Sequence, residues 1–145
     1  MAKEIFLRQL KGNTMVAKGA TNHWVTLDTK PEVGGHAAGS TPKELLLMAL
    51  AGCTSMDVIP ILKKKRSPVV GYECYVRGTE REEHPTVFTD IHIEYVIYGD
   101  GVKAADVERA IDLSRNKYCS VSAMLTASVK ITHSYRIEPA ARYTA

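Results

Sequence analysis

The sequence is poor in the features that identify most functional classes. No two of its three cysteines, Cys53, Cys74 and Cys119, form a CxxC pair, which removes the usual zinc-ribbon and thioredoxin-type patterns. No metal-ligand spacing or cofactor fingerprint stands out, so neither a metal nor a cofactor is expected. The start, MAKEIFLRQL, has no apolar leader segment, and an odd cysteine count without a signal suits a reducing cytoplasm. There is no internal repeat and no low-complexity tract. Arginine is missing altogether between Gln9 and Lys65. The one basic cluster, Lys63-Lys64-Lys65-Arg66, has no interleaved aromatics, so it reads as a solvated helix end rather than a nucleic-acid surface.

What is present is a folded composition. The chain has 145 residues, of which 45% are hydrophobic and 24% charged, with a formal net charge of +3. That is the size of one domain, here residues 1–145, able to bury a core without disulfide staples. Residues 4–8, 14–17 and 23–27 alternate in strand fashion between turn segments, which predicts an antiparallel meander. A glycine-rich loop, PEVGGHAAGS, follows at 31–40. Thr41-Pro42-Lys43-Glu44 then announces a helix, with Thr41 and Glu44 forming a capping box around Pro42. The helix is expected to reach about Lys65, with a kink at Pro60.

That helix contains the longest apolar run, LLLMALAGCTSMDVIPIL. It approaches the length of a membrane span, but Asp57 at its centre would cost about 2.5–3.5 kcal/mol on insertion scales. A core helix, buried on most sides, is the expectation. Residues 69–79 and 86–98 read as a hairpin joined by a charged loop whose His84-Pro85 forms a turn. Val87, Thr89, Ile91, Ile93, Tyr95 and Ile97 lie on one side of the second strand. A helix over 103–117 carries Val107, Ala110, Ile111 and Ser114 at helical spacing. A short helix entered at Cys119 and Ser120, and a last strand over 129–137, complete an α+β chain with an apolar helix packed on antiparallel sheet.

The cysteines read differently one by one. On composition, Cys53 is a mid-helix thiol in an apolar run, which is usually inert packing. Cys74 reads as a strand core thiol. Cys119 stands at a helix entrance, which favours a thiolate. Asp57 lies one turn after Cys53 on the same helix face, where it would raise the thiol's pKa or accept backbone hydrogen bonds that hold the helix.

The segment TPKELLLMALAGCTSMDV, followed by a charged hairpin, a helix and YCSVSAML, resembles the OsmC/Ohr family of thiol-dependent peroxidases, in its OsmC-like branch. The resemblance covers most of the chain. It implies an intertwined homodimer with active sites at the interface and the central helix packed against the partner. Cys53 takes the peroxidatic role and Cys119 the resolving one. The implied activity is reduction of organic hydroperoxides in oxidative-stress defence, with an external dithiol as reductant. Neither nucleic acid nor membrane is implied as a partner.

The family's arginine, supplied from the N-terminal strands, has no counterpart here, since Arg8 lies earlier than the family position. The family's glutamate follows the proline directly, whereas here Lys43 intervenes before Glu44. Glu44 and Lys43 are therefore supporting candidates, with Lys18 and His23 as other cations in plausible segments and His36 as a pocket-lining residue. The alternatives on the same fold are a ligand-binding or redox-sensing dimer whose cysteines form a slow disulfide, and a structural dimer with vestigial cysteines.

Overall fold

Alternating polarity in the first thirty residues is realised as a meander. The computed structural model describes all residues 1–145 and divides into two units, Met1–Leu46 and Leu47–Ala145. In the first, β1 (Phe6–Lys11), β2 (Thr14–Lys18) and β3 (Val25–Leu27) pair antiparallel in chain order. Gly12, with φ +56°, makes the β1–β2 turn in the left-handed region that glycine adopts readily.

The glycine-rich loop is organised by a residue that sequence reading did not single out. Asp28 is 2% exposed and accepts from the Thr14 hydroxyl at 2.7 Å and from the amides of Thr29, His36 and Ala38 at 2.7–3.2 Å. Burial pushes its carboxyl up, but those donors outweigh it and hold the pKa at about 2. His36, expected to line a pocket, is bonded through Nδ1 to the Thr14 hydroxyl at 2.8 Å.

The helix α1 (Pro42–Lys64) begins as its sequence requires. The Thr41 amide donates to Glu44 Oε2 at 2.7 Å, and the Glu44 amide donates to Thr41 Oγ1 at 3.3 Å, closing the capping box. The helix runs unbroken through Pro60. Within the chain, α1 buries one stripe only, Leu50, Thr54, Val58 and Leu62, at four-residue spacing. Met48, Met56 and Ile59 on other faces are exposed, which departs from the expectation of burial on most sides. Lys63 and Lys64 lie in its last turn, and Lys65 just beyond pairs with Asp106 at 3.3 Å.

In the second unit, β4 (Gly71–Glu80) and β5 (Phe88–Tyr98) form the expected antiparallel hairpin, with Tyr75 opposite Glu94. The connecting loop includes a cis peptide at His84–Pro85. The inward face of β5 begins at Phe88, not at Val87 and Thr89, which are exposed. A Cβ on Gly78 would come within 2.5 Å of the Phe88 ring, so the glycine leaves the space that this ring fills. Further along, Ile91, Ile93, Tyr95 and Ile97 are buried as expected. Val96 is buried too, because the far end of β5 is covered on both faces.

The last strand, β6 (Lys130–Glu138), pairs with β5 in parallel, Ile93 opposite His133, giving the order β4–β5–β6. Parallel pairing of adjacent strands requires a long crossover. It is supplied by α2 (Ala104–Leu113), a π-helical turn (Ser114–Tyr118) and α3 (Ser120–Leu125). Val107, Ala110, Ile111 and Ser114 are all buried, as their spacing predicts. The first three close a core with Leu50, Val58 and Leu62 of α1 and the inward residues of β5.

Candidate functional site

The crossover delivers Cys119 to the core. The predicted helix over 103–117 switches to the wider π geometry at Ser114, a change often found at functional sites. The Cys119 amide closes this turn by donating to the Ser114 carbonyl at 2.8 Å. Cys119 then caps α3, its sulfur accepting from the Ser122 amide at 3.4 Å.

The helix-entrance position predicted for Cys119 is therefore correct, but its expected consequence is not. The residue is 3% exposed. Burial is the largest influence and pushes the thiol up to about 11, against the Ser122 amide, with Cys53 and Asp57 adding to the rise. The Cys53 thiol, half-buried on α1, stands beside that of Cys119, and the Asp57 carboxylate lies close enough for its charge to act on Cys119. The two sequence-predicted cysteines are brought together.

Asp57 is held by a side chain rather than by backbone. Ser114 Oγ donates to Asp57 Oδ2 at 2.9 Å. A continuous string of hydroxyls follows: Ser114 to Thr54 at 2.9 Å, Thr54 to Tyr95 at 2.7 Å, and Tyr95 to His133 Nδ1 at 3.2 Å. Each hydroxyl has one proton. With that of Ser114 committed to Asp57, Thr54 donates to Ser114, Tyr95 to Thr54, and the His133 Nδ1–H to Tyr95. The donors thus all point toward the carboxylate.

At the far end His133 Nε2 is buried without a partner. The imidazole stacks on Tyr95, centroids 6.0 Å apart and planes within 7°. Burial first, then the nearby Arg115 and His92 charges, lower its pKa to about 4, so it is neutral at pH 7. Burial likewise drives the Tyr95 phenol upward.

Cys74 lies on β4 opposite Tyr95, beside Tyr72 and Ser55. The Ser55 hydroxyl donates to the Ala51 carbonyl at 2.6 Å and meets the Tyr72 hydroxyl at 2.8 Å. Burial raises the Cys74 thiol, with the Tyr72 and Ser55 hydroxyls acting the other way. Glu44 and Lys43 are in the first turn of α1, and the Glu44 carboxylate is committed to Thr41.

The arrangement can support two-thiol redox chemistry: a half-buried sulfur, a buried sulfur beside it, and a tethered carboxylate. The string itself was not foreseen. Its signal was the polar residues Thr54, Asp57 and Ser114 standing within apolar helical stripes.

Comparison with known proteins agrees with this reading of the fold. The family model described as OsmC-like protein matches residues 35–134. Protein YhfA of Escherichia coli K12 is 40% identical over 131 residues, covering 90% of this chain and 95% of that protein. A hypothetical protein of Aquifex aeolicus has a crystal structure that superimposes with a TM-score of 0.84 at 34% identity, covering 96% of this chain and 98% of that one. An organic hydroperoxide resistance protein of Legionella pneumophila superimposes with a TM-score of 0.67 at 12% identity, covering 93% and 96%.

Proposed function

The chain belongs to the OsmC-like family, and on that basis we propose that it is a cysteine-dependent reductase of organic hydroperoxides acting in oxidative-stress defence. The observation that carries this reading is the adjacency of Cys53 and Cys119, one half-buried and one 3% exposed, in an apolar setting. Cys53 attacks the peroxide O–O bond. The thiol proton leaves with the alcohol, and the sulfur keeps the other oxygen as a sulfenic acid. Cys119 displaces that oxygen as water and forms a disulfide. An external dithiol returns both thiols by exchange.

The apolar lining favours organic over inorganic peroxides. The protein works as a homodimer in the cytoplasm. Supporting the dimer, only 22% of the most apolar window of α1 is buried within one chain, and Met56 is 77% exposed. By length and composition alone α1 is also apolar enough to cross a membrane. Its buried stripe, which packs on β5 and α2, and Asp57 favour a core helix covered by a second copy.

The test is stopped-flow oxidation of the reduced protein by cumene hydroperoxide. Rapid loss of two thiols, abolished in Cys53→Ser and halted at a sulfenic acid in Cys119→Ser, is expected. Thiol loss no faster than that of free cysteine at the same pH sinks the reading. A second reading, a redox sensor with slow turnover, is favoured by one observation: a Cys119 thiol raised to about 11 is almost wholly protonated at neutral pH. It predicts a disulfide that forms once and persists in the presence of dithiol.

A further inference from the structure

We propose that Asp57 is the proton-transfer group of the step that joins the two sulfurs, accepting the proton of the Cys119 thiol and passing it to the departing oxygen. This rests on the two-cysteine reading above. The step balances as Cys53–S–OH plus HS–Cys119 giving Cys53–S–S–Cys119 and water. The new S–S bond forms as the S–O bond breaks. One proton moves from sulfur to oxygen, and no further reactant is needed.

The geometry carries the assignment. Asp57 follows Cys53 by one turn of α1, so the two side chains share a helix face. Cys119 reaches the same place from the crossover, its amide bonded to the Ser114 carbonyl while the Ser114 hydroxyl holds Asp57 Oδ2. One residue, Ser114, thus fixes both the carboxylate and the backbone that carries the attacking thiol. The donors of the string all run toward Asp57, which orients the carboxylate and leaves its second oxygen for exchange.

The chemistry needs such a group. A buried thiol raised to about 11 supplies little thiolate at neutral pH, and only the thiolate attacks. A base at hand removes that limit, typically contributing a factor of 10²–10⁴. The same carboxylate raises Cys119 by its charge, so the two possible roles of Asp57 predict opposite results. If Asp57 acts only as a charge, neutralising it lowers the Cys119 pKa and speeds the attack. If it takes the proton, neutralising it slows the attack.

The test separates this from the peroxidase reading by using DTNB in place of peroxide, with Cys74→Ser as background. The first coloured thiolate marks mixed-disulfide formation at Cys53. The second marks attack by Cys119. Asp57→Asn, which keeps an acceptor for Ser114, is expected to leave the first phase within about twofold and slow the second about a hundredfold. An unchanged or faster second phase overturns the proposal, as does a parent protein that releases only one equivalent. If Asp57→Asn does not fold, judged by circular dichroism, the parent protein decides. Proton transfer in the step predicts a larger solvent deuterium isotope effect on the second phase than on the first, and equal effects overturn the assignment. Failure of cumene hydroperoxide to oxidise Cys53 counts against the proposed function alone.

Discussion

The hydroxyl of Thr54 meets the phenolic oxygen of Tyr95 at 2.7 Å, and both residues are essentially inaccessible to solvent. This contact joins the buried stripe of α1 to the centre of β5. Thr54→Val preserves shape but leaves the Tyr95 and Ser114 hydroxyls short of a partner. A buried group left unsatisfied costs about 1–3 kcal/mol. Urea unfolding of Thr54→Val is expected to show a loss in that range. Adding Tyr95→Phe should not recover it, because that change orphans the His133 Nδ1–H in place of the phenol.

The His133 imidazole binds its proton less readily in the folded protein than in the unfolded chain, with a pKa of about 4 against 6.5. Acid therefore favours unfolding. Stability is full above about pH 6.5 and falls as the pH drops toward 4. Asp28 is shifted the same way, from 3.8 down to about 2. Its contribution is intact above its ordinary 3.8 and is lost only as the pH falls through 2. Urea midpoints measured from pH 8 to 3 should decline first in the histidine window, and His133→Phe should flatten that part of the curve. A profile that is flat between pH 7 and 4 in the parent protein contradicts the buried neutral imidazole.

In a Cys53→Ala, Cys74→Ser background, alkylation of Cys119 by iodoacetamide should require strongly alkaline pH. Burial, its largest influence, remains when Cys53 is removed. The midpoint is expected between the ordinary 9 and 11. A midpoint below 8 contradicts the burial of the sulfur.

The two faces of α1 should respond differently to substitution. Leu50 is fully buried within the chain, so Leu50→Ala is expected to cost about 2–5 kcal/mol at any protein concentration. Met56 is exposed in the chain, so Met56→Lys should act through assembly. Sedimentation is expected to show a shift toward monomer at micromolar concentration. Met56→Lys sedimenting as the parent does means that this face is not the dimer contact.

Much of this architecture was legible because local signals agreed with the global fold. The Thr41–Glu44 box, the hairpin pairing and the spacing of Val107, Ala110, Ile111 and Ser114 depend on neighbours a few residues away. The direction of β6 was not legible, because strand alternation looks the same in parallel and antiparallel pairs. Neither was the offset at Phe88, which depends on space left by Gly78 on the adjacent strand. At the site, Cys53 and Cys119 were found through a motif. The shift of the Cys119 thiol was misjudged because a helix entrance is a local feature, whereas its burial is set by α1 and β5, distant in sequence. The string from His133 to Asp57 joins residues up to seventy-nine positions apart, and no spacing rule reaches that far.

The crossover between β5 and β6 has a mechanical consequence. Cys119 lies within it and Cys53 lies on α1, so a bond between them would close a covalent ring around β4, β5 and α2. A ring of that size removes about 4 kcal/mol of freedom from the unfolded chain in the loop-closure account. Oxidation would then cinch most of the second unit into a loop, and reduction would release it. The melting temperature of the protein becomes a gauge of the redox state of its surroundings.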